Sequence, residues 1–148
     1  MSTQSDFRQL VVFTLAEEHY ALPIQQVQEI IRYSDPRSVA SPIEWLRGVI
    51  SLRGRIVPVY DVGARIGRRT EIGEQSKIVI VEVGDETAGV IVDSVEEVLT
   101  VSESQIESAP TADASLIQSI ARIDDRLVAL LTLDTLFESA ATELTAVA

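Results

Sequence analysis

The feature that most constrains this chain is an internal repeat. Shifted by 68 residues, Leu10–Ile31 lies over Ile78–Leu99 without a gap. Val11 matches Val79, Glu18 matches Glu86, Val27 matches Val95 and Glu29 matches Glu97. Most other pairs are alike, among them Leu10 with Ile78, Leu22 with Val90 and Ile30 with Val98. Turn residues coincide too, since Ala16-Glu17-Glu18 falls on Gly84-Asp85-Glu86. Further on, Arg55-Ile56-Val57 resembles Arg126-Leu127-Val128 at a shift of 71, and Asp61 resembles Asp134 at a shift of 73. The chain therefore reads as two copies of a unit of about 70 residues. Units that small are near the lower limit for folding alone, so the two should pack closely and leave a groove between them.

Each copy reads as β structure. Leu10–Leu15 is an apolar, Val-rich run of strand length, and His19–Ile24 returns after a tight turn. In Gln25–Arg32, Val27, Ile30 and Ile31 fit either a short amphipathic helix or a twisted strand end. Glu44–Gly48 is expected to form one helical turn stopped by glycine. Val49–Leu52 and Ile56–Tyr60 form a hairpin whose turn, Arg53-Gly54-Arg55, uses glycine for positive φ. Pro58 cannot donate to a ladder, so it is expected at an edge or bulge. Asp61 is a predicted N-cap for Val62–Ile66. Lys77–Val83 with Thr87–Val92, and Ile117–Ile123 with Leu127–Leu133, make two further hairpins. Val95–Val101 is helix or strand, Ser102–Leu116 an exposed excursion, and Asp134–Phe137 a short capped helix. Short strands with a turn every 8 to 12 residues predict an all-β sandwich or barrel.

Composition narrows the function classes. The chain has 148 residues and a net charge of −11, which disfavours binding to a nucleic-acid backbone or an anionic membrane. It has no cysteine, which excludes disulfides, thiol catalysis and Cys-ligated zinc and is compatible with a reducing cytosol. No run approaches the roughly 20 apolar residues of a membrane span. The N-terminal stretch lacks a basic region followed by a clean apolar core, so no secretory signal is expected. His19 is the only histidine, with no evident Ser or Cys partner, and reads as a solvated turn residue. No phosphate-loop or dinucleotide-binding glycine pattern is present. No metal or cofactor is expected, and the chain is read as a non-enzyme.

The charge is uneven. Residues 47–69 hold six arginines against the single acid Asp61, so this window carries +5 and the remainder −16. Eleven of the twelve basic residues are Arg, the side chain suited to planar contacts with carboxylates. A small nucleic-acid-binding barrel is a distant alternative resting on this window alone. Beyond Tyr60 the window lacks the interleaved aromatics that stack single-stranded bases.

That same window contains Gly48–Asp61, GVISLRGRIVPVYD. Together with Phe13-Thr-Leu, Tyr20-Ala-Leu-Pro-Ile, Val27-Gln-Glu-Ile-Ile and Gly89-Val-Ile-Val-Asp-Ser-Val, it closely resembles the CheW family of bacterial chemotaxis coupling proteins. The resemblance covers about Phe7–Glu138. It implies a mainly β fold of two tightly packed, five-stranded Src-homology-3-like β-barrels with a few short helices. We expect one domain over residues 7–138 and a flexible tail over 139–148. The first barrel should span roughly 18–75, and the second roughly 76–138 plus the N-terminal strand 8–15.

The resemblance further implies an adaptor that couples chemoreceptor tips to the CheA histidine kinase. It would be cytoplasmic and recruited to membrane-associated arrays, without inserting into the membrane, and could contact other CheW copies. Receptor contacts are expected at Val27, Glu29, Arg53, Ile56, Gly89 and Val98, and kinase contacts at Lys77 and Ile78. Val27 and Ile56 would supply apolar area, although either could equally be core. Arg53 could pair with a receptor carboxylate or with Glu29. Gly89 would allow close backbone approach, or merely mark a bulge. A second reading within the family is coupling in a parallel pathway for surface or twitching motility.

Overall fold

The computed structural model describes residues 7–68, 71–108 and 117–134. The described residues form eleven strands: β1 (Phe7–Leu15), β2 (Glu18–Pro23), β3 (Val27–Arg32), β4 (Leu46–Leu52), β5 (Arg55–Tyr60), β6 (Lys77–Val83), β7 (Glu86–Val92), β8 (Ser94–Ser102), β9 (Ile106–Ser108), β10 (Ile117–Ile123) and β11 (Arg126–Leu131). One α-helix, α1 (Val62–Arg65), and two short 3-10 turns complete the described elements. The expected helix at Asp134–Phe137 lies mostly outside the described residues, as does the tail over 139–148.

The strands form two sheets, ordered β8-β1-β2-β11-β10-β9 and β3-β6-β7-β5-β4. All neighbours are antiparallel except β2 with β11 and β5 with β7. The repeat explains this order. Replacing β8, β1, β2, β11 and β10 by their repeat equivalents gives β3, β6, β7, β5 and β4, which is the other sheet. Each sheet therefore takes its central hairpin from one copy and its flanking strands from the other. The expected barrel boundaries are corrected accordingly. Glu18–Pro23 belongs with β1, and Lys77–Val92 belongs with β3, β4 and β5. A hairpin with a two-residue turn, Leu15 opposite Glu18, cannot be divided between sheets. The first sheet has six strands rather than five because the three-residue β9 extends it.

Three cores follow from strand alternation, which sends successive side chains to opposite faces. Leu10, Val12, Ala21, Val101, Ala121, Val128 and Leu130 fill the inside of the first sheet. Val59, Ile78, Ile80 and Ile91, with Ile31, Ile50 and Leu52 against them, fill the inside of the second. Between the sheets lies the largest core, including Phe13, Leu22, Trp45, Tyr60, Val79, Val81 and Val90. Such an arrangement matches two Src-homology-3-like barrels packed face to face.

Local differences have physical causes. Residues 25–32 are a 3-10 turn followed by a strand, because β3 finds the ladder of β6. Residues 94–102 resolve in the same way, as β8 pairs with β1. Glu44-Trp45 is a turn leading into β4, not a helical turn. Gly48 stops no helix. It sits inside β4 beside a register shift, where a Cβ would lie 2.1 Å from the Arg37 carbonyl oxygen. Pro58 is not on an edge strand, since β5 lies between β4 and β7. The parallel ladder to β7 involves only Val59 and Tyr60, so β4 is the one ladder partner at Pro58. His19 is the second residue of β2 and half-buried, rather than solvated in a turn.

Candidate functional site

Arg53 and Gly54 both have positive φ, at 51° and 79°, the conformation of a two-residue type I′ hairpin turn. This turn aims the Arg53 guanidinium at edge strand β3. Both guanidinium nitrogens of Arg53 reach the Glu29 carboxylate, Nη2 donating to Oε1 at 3.0 Å and Nη1 to Oε2. The Glu29 hydrogen bonds hold the Arg53 guanidinium above its ordinary pKa, securing its charge. Of the two alternatives for Arg53, the isolated chain adopts the pairing with Glu29.

Asp61 caps α1 as expected, accepting from the Ala64 N–H at 3.0 Å. Its carboxylate is buried and also accepts from Arg47 Nη2 at 2.8 Å and Nε at 3.2 Å. Arg68 pairs with Glu18 at 2.7 Å beside the Tyr20 hydroxyl, which itself donates to Glu18. Burial pushes that hydroxyl above its usual pKa, an effect Arg68 partly offsets. Three of the window's six arginines, Arg47, Arg53 and Arg68, are thus paired with acids of the same chain.

The apolar candidates divide. Ile56 is 69% exposed and lies two and four residues before Pro58 and Tyr60, so it shares the intersheet side of β5. Val98 is 53% exposed and stands opposite Val11 on edge strand β8. Val27 is half-buried and packed against the intersheet core, so it serves the fold as well as any partner. Val27 and Val98 therefore sit on edge strands of different sheets.

Gly89 is buried inside the second barrel, where a Cβ would meet Ile78 Cγ2 at 2.7 Å and Val59 Cγ2 at 3.4 Å. The close approach it permits is to Ile78 and Val59 of its own chain. Ile78 is fully buried and presents no side chain to a kinase. Lys77, half-exposed at the start of β6, remains accessible.

Some surface residues were not foreseen. Ile30 and Leu127 are 40% and 58% exposed, and Arg126 pairs with Glu97 at 2.9 Å. The repeat carried this signal, because it equates Ile30 with Val98, Ile56 with Leu127 and Glu29 with Glu97. Three surface hollows of about 270, 470 and 380 Å³ occur, and none is lined by an expected contact residue. Among the described residues, no cluster of three or more His, Asp or Glu could hold a metal. No described helix is long and apolar enough to cross a membrane. The candidate surface is a set of edge strands and hairpin turns, a geometry open to another macromolecule.

Fold and surface together define a class: a twin-barrel β domain with open edge strands. The CheW-like domain family model matches residues 9–141, and the chain belongs to that family. It is similar to the scaffolding protein TtCheW from Thermoanaerobacter tengcongensis. That crystal structure superposes with a TM-score of 0.83 at 38% identity, over 88% of this chain and 92% of that one. The chain is 32% identical over 74 residues to chemotaxis protein CheW of Klebsiella aerogenes, a match covering 50% of this chain and 45% of that protein. A similar match to chemotaxis protein CheW of Bacillus subtilis has 32% identity over 73 residues, 49% and 47% of the two chains. The aligned stretch thus spans about half the length of these curated relatives.

Proposed function

We propose that this chain is a non-enzymatic adaptor that couples the cytoplasmic tips of chemoreceptors to a CheA-type histidine kinase. The observation that carries this reading is the likeness to a chemotaxis scaffolding protein over nearly the whole of both chains. The surface chemistry supports it. Ile56 and Val98 offer apolar area on the intersheet side, where an amphipathic helical tip could lay its apolar face. The Arg53–Glu29 pair, which joins the hairpin carrying Ile56 to edge strand β3, could exchange its internal partner for a receptor carboxylate. Val27 would contribute from the same edge strand as Glu29, and Lys77 would meet the kinase. Recruitment to membrane-associated arrays follows from receptor binding and requires no membrane segment of the chain's own.

Reconstitution with a cognate CheA-type kinase and receptor-containing membranes tests the reading. The expected result is receptor-controlled kinase activity that requires this chain. Equal activity with and without it, together with no co-sedimentation, overturns the reading.

A further inference from the structure

One covalent connection, between α1 and β6, joins the first copy of the repeat to the second. All other links between the copies are non-covalent. Four ladders cross from one copy to the other: β1 with β8, β2 with β11, β3 with β6, and β5 with β7. The three cores are shared in the same way. Leu10 and Val12 share a core with Val101 and Val128. Val59 shares one with Ile78 and Ile91, and Phe13 and Tyr60 share one with Val79 and Val90. Among the described residues, neither copy has a core cluster of its own.

The connection carries little of this. Its two ends are anchored separately. The Arg68 N–H donates to the Gly63 carbonyl at 2.6 Å on one side, and the Gly73 N–H donates to Ser76 Oγ at 2.9 Å on the other. Glu71 and Ile72, between these anchors, are exposed.

We propose that the chain is a tethered obligate pair: each half folds only upon the other, and the covalent link at Glu71–Ile72 is dispensable once they have joined. A hairpin such as β1–β2 or β6–β7 by itself leaves its ladder edges and apolar faces open and is at best marginally stable. Joining the halves buries these surfaces together, as an obligate interface does by resembling a domain core cut in two. The tether raises the effective concentration of each half around the other and adds no contact of its own.

The test uses the full chain with a protease recognition sequence inserted between Glu71 and Ile72, cut in the folded state. The two pieces should co-elute at the mass of the uncut chain at micromolar concentration and keep its far-UV circular dichroism. The Tm of the cut protein should be lower than that of the uncut one and should rise with protein concentration, as for any folded state assembled from two molecules. Pieces that separate in native buffer overturn the proposal, as does a separated piece that melts cooperatively by itself. Hydrogen exchange on the unaltered chain provides a second measurement. The slowest amides of β1–β2 and of β6–β7, one hairpin in each sheet, should share a common opening, with protection factors within about tenfold of each other. One sheet that opens while the other stays protected, by roughly 100-fold or more, also overturns the proposal. Neither measurement involves a receptor or a kinase, so either result leaves the coupling reading untouched.

Discussion

Arg126 Nη2 lies 2.9 Å from Glu97 Oε2, joining the β10–β11 hairpin to edge strand β8. Arg53 joins the β4–β5 hairpin to Glu29 on edge strand β3 in the same manner. Glu29 and Glu97 are equivalent in the repeat, and the turns are equivalent, although Arg53 lies within its turn and Arg126 directly follows its own. Each barrel is thus clasped by one ion pair between a hairpin and the strand donated by the other end of its sheet.

The exposure of these clasps separates their contribution to folding from their contribution to binding. Arg53 is 74% exposed, and exposed pairs contribute little to stability. Arg53→Glu should therefore leave Tm within a few degrees of the unaltered chain while abolishing recruitment to receptor membranes. Arg53→Glu combined with Glu29→Arg should restore the clasp but not the recruitment. Thermal denaturation and co-sedimentation on the same preparations check both statements. Restored recruitment in the swapped variant would show that the clasp acts only by holding β3 in place.

The apolar residues should divide by burial. Ile56→Glu adds a charge where solvent already reaches, so the variant should fold normally and lose receptor binding. Val27→Glu places a carboxylate against the intersheet core and should cost more than about 2 kcal/mol in denaturant unfolding. A folded, stable Val27→Glu chain would mean that Val27 packs less tightly than its surroundings indicate.

Two glycines should be intolerant of alanine for steric reasons. Gly89→Ala pushes a methyl against Ile78 inside the second barrel, with an expected loss of about 1–3 kcal/mol. Gly48→Ala meets backbone at 2.1 Å and has φ of +149°, so its loss should be larger. Urea midpoints of both variants test the order, which would be reversed if the 33–43 connection shifted freely.

The β1–β2 turn carries strain that can be removed. Ala16 and Glu17 both have positive φ, at 51° and 69°, where residues with a Cβ are disfavoured. Replacing them by Asn-Gly, the preferred pair for such a turn, should stabilise the chain by about 1 kcal/mol. The Ala16 N–H bond to Asp93 is a backbone donation and survives the change. A lower Tm would exclude the turn as a site of strain.

Asp93 should make stability pH-dependent. Burial raises its carboxyl pKa above the usual 3.8, the Ala16 N–H opposes this, and Asp61 and Glu71 add to it. A folded pKa above the unfolded one means that the unfolded chain loses its proton first. Stability from this group is therefore fully present below about pH 4 and lost as pH rises through the folded pKa. Asp93→Asn should thus gain stability over the unaltered chain near neutrality, and the gain should vanish toward pH 4. A gain independent of pH would contradict this origin.

Strands and turns were legible because they depend on neighbours in sequence. The Asp61 cap, the Arg53-Gly54 turn and the four hairpins all follow from residue types within a few positions of one another. The ambiguity at residues 25–32 and 95–101 was physical. Val27, Ile30 and Ile31 fit two periodicities, and only the distant strands β6 and β1 choose between them. Gly89 and Ile78 show the same limit at the level of the site. Nothing local distinguishes a glycine that admits a partner from one that admits a neighbouring isoleucine.

By itself the sequence determined that this is a repeated β unit with an arginine-rich motif and the CheW resemblance. Periodicity, turn chemistry and residue identity are local properties, readable without knowing what lies across the core. Only the tertiary structure decided how the two copies share their sheets. A hairpin can pair with either copy's strands at similar local cost, and the long-range burial of the three cores selects the exchange. The same long-range packing decided which candidates face solvent. It left Ile56, Val98, Arg53 and Lys77 open to partners, and enclosed Gly89 and Ile78.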